Sequence, residues 1–199
     1  IIYSLPFLSI IEQNQNVFEQ AFIKVEKRTP YSNEMLAHHH LSEINYKLPK
    51  KEHEDIGSDL LLIEGWNSEI IITTFIQFFE TLIGYRNKAL KKFNKFRNSI
   101  VLLDEIQNIP VKYWGVVSLA LEILVKDFGV YILFITATKP SLISENKIKS
   151  LANSSIFKNK LNRTQIKSDL TEKKTLESIL PIIKDNPEKN ILIVLNTIK

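Results

Sequence analysis

Short, unbroken apolar runs recur along this chain, and most are followed by a stretch whose apolar residues fall at helical spacing. IIYSLP (1–6) is the first run, and Pro6 breaks it. A helix is expected from Ser9 to about Phe22, where Ile10, Val17, Ala21 and Phe22 recur near the helical period. Ser9 and Glu12 have capping-box spacing, in which each side chain satisfies a free backbone donor at the helix start. Residues 27–60 break the rhythm. They read as a polar surface excursion carrying LAHHHLSE and KLPKKEHED, with one short strand near Met35–His38. IIITT (70–74) is a second buried strand, and Thr74 with Gln77 forms another capping box opening the helix FIQFFETLI. Between Arg86 and Arg97 lie six cations and no acid, with Leu90, Phe93 and Phe96 spaced to cover one side of a helix. IVLL (100–103) is the third strand, a helix follows from about Val111 to Lys126, and VYILFI (130–135) is the fourth strand, ending in Thr136-Ala137-Thr138.

Continuous apolar strands alternating with helices predict an α/β fold, a parallel sheet covered by helices on both faces. The tail changes character. Residues 139–162 are rich in Ser, Asn and Lys and suit a linker. A polar strand (RTQIKS, 163–168), a helix (TEKKTLESILPII, 171–183), a turn and a strong strand (ILIVL, 191–195) then look like the opening of a second α/β unit.

Composition narrows the picture modestly. The 199 residues are 44% hydrophobic and 24% charged, ordinary for a soluble globular chain. A net charge of +4 suits a polyanionic partner without requiring one. The absence of cysteine excludes a disulfide framework and a thiolate zinc site. No apolar run approaches the roughly 18 residues that span a bilayer. The N-terminus lacks the basic start and cleavage site of a signal peptide, and the absence of cysteine fits the cytoplasmic location expected here. The chain also lacks an initiator Met and opens in what looks like mid-strand, as a segment of a longer protein would.

In parallel sheets, ligands bind outside the carboxyl ends of the strands. The candidate positions are therefore Ser4, Thr73 with Thr74, Asp104 with Glu105, and Thr136 with Thr138. A buried strand ending in Asp-Glu makes sense if a metal-bound phosphate sits beyond it. The Asp can hold Mg²⁺ through water, and the next carboxylate can orient and deprotonate an attacking water. The plain alternative is two acids meeting the positive end of the next helix. The TAT hydroxyls could bridge a nucleotide site to another domain, or cap a turn. The strand–helix junctions at Ser9 and at Thr73–Thr74 could bind a nucleic-acid phosphate, or be simple caps. His38-His39-His40 could ligate a metal; a solvated strand end is the alternative. The Arg86–Arg97 cations could touch phosphates or form a solvated helix face. Trp66 and Trp114 read as packing residues.

Order and spacing unite these signals. IIYSLPFLSIIEQN, IIITTFIQFFETLIGYRN, SIVLLDEIQNIP, ITATKPSL and ILIVLNTIK, in that order, resemble the helicase part of the CRISPR-associated helicase–nucleases of type I systems, which are superfamily 2 helicases. LAHHH is similar to a histidine-bearing segment of that family. The resemblance implies a RecA-like first helicase domain at 1–140, a linker at 141–162, and the truncated start of a second RecA-like domain at 163–199. It implies that Asp104 and Glu105 are Walker B acids, Asp104 holding Mg²⁺ through water and Glu105 activating water, with Gln107 beside them at the ATP site. Thr136 and Thr138 would couple hydrolysis to strand movement. Pro6, Phe7 and Ser9 would contact nucleic acid, as would Thr73, Thr74 and Gln77. Asn196 and Thr197 would end the first core strand of the second domain.

The implied activity is ATP-driven translocation on single-stranded DNA in antiviral defence. The implied partners are a guide-RNA surveillance complex and a metal-dependent HD nuclease in cis or in trans. One departure is large: no G-x-x-x-x-G-K-[ST] loop exists, and none of the five glycines is followed by Lys. That loop would lie upstream of the first motif, so these residues hold half an ATPase site and are expected to be inactive by themselves. Alternatives are another superfamily 2 helicase acting on RNA or DNA, or a nucleic-acid-binding remnant that does not hydrolyse ATP.

Overall fold

The structure is a computed structural model that describes residues 1–39, 42, 46–48, 56–137, 141–151, 180–181, 183–185, 187–188 and 191–192. The chain divides into two compact units, Ile1–Lys149 and Ser150–Lys199. In the second unit residues 180–181 and 183–184 are helical. The expected strands at 163–168 and 191–195, with Asn196 and Thr197, fall wholly or mostly outside the described residues.

The first unit is a five-stranded sheet in which every pairing is parallel. Its strands are β1 (Ile2–Leu5), β2 (Met35–His38), β3 (Ile70–Thr74), β4 (Ile100–Asp104) and β5 (Tyr131–Ile135), in the spatial order β2-β3-β1-β4-β5. The helices are α1 (Leu8–Glu26), α2 (Ile56–Glu64), α3 (Phe75–Ile83), α4 (Asn87–Phe93) and α5 (Trp114–Phe128). The arrangement is RecA-like, and all carboxyl ends of the strands share one rim.

Alternation along the strands sorts the core into two layers. Tyr3, Leu5 and Ile72 pack with Ile11 and Phe18 of α1 on one face. Ile2, Ile71, Val101 and Leu103 pack with Ile63 of α2, Phe78 of α3 and Val117, Leu121 and Leu124 of α5 on the other. Helices thus cover both faces, as the apolar strands predict. In the second layer Trp66, Phe78, Phe93 and Phe96 meet edge to face, with ring centroids 5.3–6.3 Å apart. Leu142 is buried in that same layer.

Local signals explain most element ends. Thr74 caps α3, its hydroxyl accepting from the Gln77 N–H at 3.2 Å. α5 ends at Gly129, whose φ of 65° suits glycine, and a Cβ there would stand 2.7 Å from Asn98 Oδ1. Other ends correct the sequence reading. α1 starts at Leu8 after an extended Phe7 with no side-chain cap, so Ser9 sits inside the first turn and forms no capping box. It also runs on to Glu26. The Arg86–Arg97 stretch is a short α-helix followed by a 3₁₀ turn over Asn94–Phe96; Phe96 is buried, while Leu90 is left exposed. A 3₁₀ turn over Val111–Tyr113 precedes α5. Among the described residues, no helix is long and apolar enough to cross a membrane.

Candidate functional site

β4 delivers Asp104 to the rim, where it pairs in register with Ile135 of β5. Neighbouring β1 brings Tyr3 opposite Leu102, on the same face as Asp104 because side chains alternate. The Tyr3 hydroxyl donates to Asp104 Oδ2 at 2.7 Å. The phenol ring is held edge-on by Phe18 of α1, centroids 5.7 Å apart. Burial, reinforced by the hydrogen bond to Asp104 and its charge, pushes the Tyr3 phenol far above its ordinary range. Tyr3 is therefore a permanent donor, and it fixes one oxygen of a half-buried carboxylate.

Glu105 leaves the strand in the left-handed region, φ 55° and ψ 40°. This conformation is uncommon for a residue with a side chain, and such strain gathers at functional sites. Its N–H still donates to the Ile135 carbonyl at 2.8 Å, which ties the turn to β5. The chain then folds into a 3₁₀ turn, Ile106–Asn108, anchored by the buried Ile106 and Ile109. That turn swings Gln107 back over the rim. Gln107 Nε2 donates to Glu105 Oε2. The Thr136 hydroxyl donates to Gln107 Oε1 at 2.6 Å. A continuous bridge Thr136–Gln107–Glu105 thus spans the carboxyl ends of β4 and β5. Asp104, Glu105, Gln107 and Thr136 come together; Thr138 lies outside the described residues.

The rim suits magnesium chemically. Its charged donors, Asp104 and Glu105, are hard carboxylates, both half-buried, and Mg²⁺ takes one or two carboxylates and keeps several waters. Asp104 would hold the ion.

A second group forms at the carboxyl ends of β2 and β3. Thr73 and Thr74 are both buried. The Thr73 hydroxyl donates to the His38 carbonyl at 2.8 Å, and Thr74 caps α3. Gln77, half-buried on the first turn of α3, joins them. Pro6 and Phe7 follow β1, Pro6 half-buried and Phe7 54% exposed, with Ser9 exposed one turn on. Ser4 is wholly buried, and its hydroxyl has no partner among the described residues.

Two expectations about polar residues are overturned here. His38 is not a solvated strand end: it is 8% exposed and its Nδ1 accepts from Trp66 Nε1 at 2.8 Å. Burial, aided by the charges of Lys92 and Lys88, pulls its pKa down to about 4, so it is neutral at pH 7. His39 is half-buried and His40 falls outside the described residues. No group of three or more His, Asp or Glu side chains suited to a metal exists among the described residues. Lys92 is not part of a solvated face either. It is 2% exposed, its ammonium lies 5.3 Å from the Trp66 ring centroid, and it donates to Gln77 Oε1 at 2.7 Å.

Sequence reasoning missed Tyr3 and Lys92 as members of these sites. Tyr3 carried a faint signal, two residues before a strand end. Lys92 carried another, standing four residues before the buried Phe96 on the same side of the chain.

No family model matches the chain. It is similar to the CRISPR-associated nuclease/helicase Cas3 of Haloferax volcanii, with 32% identity over 157 residues. The match covers 76% of this chain and 16% of that protein, so the chain spans well under two thirds of its relative's length. With the RecA-like parallel sheet, this match marks the chain as a Cas3-related helicase segment.

Proposed function

We propose that this segment supplies the acid-bearing and strand-contacting rim of an ATP-dependent translocase that acts on single-stranded DNA in type I CRISPR interference. The observation that carries the reading is the Thr136–Gln107–Glu105 bridge. It joins a carboxylate suited to hydrolysis to a hydroxyl on the neighbouring strand end.

Glu105 orients and deprotonates the attacking water. Asp104, steadied through one oxygen by Tyr3, would hold Mg²⁺, and the bound ion would supply neutralisation of the charge on the phosphates. Gln107 holds Glu105 in place and passes any displacement of Thr136 to it. The dependence is reciprocal, because coupling free energies between sites are symmetric. Phe7, Ser9 and Gln77, at the first turns of α1 and α3, contact the strand, where helix N-termini favour phosphate, and the buried Thr73 and Thr74 shape that surface from beneath. A guide-RNA surveillance complex and an HD nuclease complete the assembly. The missing phosphate loop comes from another part of the polypeptide, so these residues by themselves do not turn over ATP.

The test is DNA-stimulated phosphate release by the full-length polypeptide with Glu105→Gln. Hydrolysis should fall at least about 100-fold, the scale of general-base catalysis, while ATP still binds. Near-normal turnover would remove Glu105 from this role.

A further inference from the structure

Among the described residues, Lys92 alone dictates how the Gln77 side chain is oriented. Its backbone is fixed twice, by the Thr74 hydroxyl accepting from its N–H at 3.2 Å and by the Thr81 hydroxyl donating to its carbonyl at 2.7 Å. Its side chain does not close the capping box back to Thr74. It turns instead to Lys92, whose ammonium donates to Oε1 at 2.7 Å. An ammonium has donors and no acceptor. The amide oxygen must therefore face Lys92, and the Nε2 group, with its two N–H donors, faces away. Nothing else among the described residues bonds Nε2.

Lys92 is itself held for this task. It is 2% exposed and packed 5.3 Å from the Trp66 ring centroid. Trp66 is pinned in turn by its N–H to His38 at the end of β2. Glu64, the nearby acid, is engaged by Lys88 at 2.7 Å and Lys91 at 3.6 Å. No carboxylate lies within ion-pair distance of Lys92 among the described residues. Burial also draws the Lys92 ammonium down to about 8, so the charge is costly where it sits. A cation buried with an amide oxygen as its hydrogen-bond partner is an expensive way to build a core.

We infer that Lys92 is a positioning residue that locks the Gln77 amide oxygen inward, so that Gln77 presents only donors to a nucleic-acid phosphate. The inference rests on the reading of Gln77 as a strand contact. Phosphate oxygens only accept, and a freely flipping amide would present its oxygen part of the time. Lys92 itself does not touch the strand.

The test measures single-stranded DNA affinity of the full-length polypeptide across a salt series for Gln77→Ala, Lys92→Met, the double variant and Gln77→Glu. Lys92→Met should keep the fold, because an apolar chain of that length suits a buried site. Gln77→Ala should weaken binding at least about tenfold, the scale of one hydrogen bond to a charged group, and Lys92→Met about twofold, because an amide free to flip presents its donors about half the time. The double variant should be no weaker than Gln77→Ala. The salt slope should be unchanged in Lys92→Met, whereas loss of a direct phosphate contact would lower it by about 0.7. Gln77→Glu keeps the contact to Lys92 yet offers only acceptors, so it should bind at least as poorly as Gln77→Ala. Additive losses, a reduced slope in Lys92→Met, or wild-type binding by Gln77→Glu would overturn the positioning role. Wild-type binding by Gln77→Ala would overturn the strand contact on which it rests.

Discussion

The Tyr3 hydroxyl donates to Asp104 Oδ2 across 2.7 Å, joining neighbouring strands whose residues lie 101 apart in the chain. β1 is the central strand, and its tyrosine holds the acid that the next strand brings to the rim.

Tyr3→Phe removes that hydroxyl and leaves the ring. Stability should fall by about 1 kcal/mol, the usual net value of a hydrogen bond, as read from urea unfolding. The raised Tyr3 pKa adds a pH signature. The folded state retains the phenol proton above the ordinary value of 10.0, where the unfolded chain releases it. The wild-type chain should therefore lose stability as pH rises beyond about 10, and Tyr3→Phe should lack that component. Matching alkaline profiles would show the bond to be unimportant.

Thr136→Val breaks the hydroxyl link to Gln107 and keeps the side-chain volume. In the full-length polypeptide, DNA-stimulated ATP hydrolysis should persist while unwinding per ATP falls severalfold. Gln107→Leu should uncouple in the same way and also slow hydrolysis, because it releases Glu105 as well, and the double variant should be no worse than Gln107→Leu. A Thr136→Val enzyme that unwinds DNA normally would contradict the coupling.

His38 predicts the response to mild acid. Its pKa is lowered to about 4 by burial first, then by Lys92 and Lys88, against an ordinary 6.5. A depressed folded pKa gives stability that is full above 6.5 and lost as pH falls toward 4. The loss should reach up to about 3 kcal/mol. His38→Gln, which can still accept from Trp66, should flatten unfolding free energy across that window. Glu34 acts lower down. Its pKa is drawn to about 2 by hydrogen bonds from Arg28 and the Tyr31 backbone, so its share is lost below its ordinary 4.5. An unchanged slope in His38→Gln would assign the acid sensitivity elsewhere.

The 199 residues alone should show no ATP turnover in a phosphate-release assay, with or without DNA. The two acids are in place, but the backbone amides and lysine of a phosphate loop are absent from the sequence. Steady, DNA-stimulated release would mean that a different element grips the β- and γ-phosphates.

Much of the fold was legible in advance because burial on two faces writes itself as continuous apolar runs. IIITT and the strand at Met35–His38 match the observed strands residue for residue, and Thr74 caps its helix as its spacing implies. Ser9 misled. Its capping-box spacing was satisfied on paper, but Pro6 and the extended Phe7 start the helix one residue earlier. The cationic stretch misled too, because charge in a sequence reads as solvent exposure, and burial of Lys92 depends on Trp66 and Gln77, which are remote in the chain.

The sequence by itself determined which residues stand at strand ends, since apolar runs must stop where the sheet meets water, and with them Asp104, Glu105 and Thr136. Only the tertiary structure decided how those ends are connected: Tyr3 to Asp104, Thr136 through Gln107 to Glu105, and Lys92 to Gln77. Strand order and register set the first two partnerships, and the packing of α4 against α3 sets the third. They bring together side chains from separate stretches of the chain, and one-dimensional periodicity carries no record of which strand lies beside which.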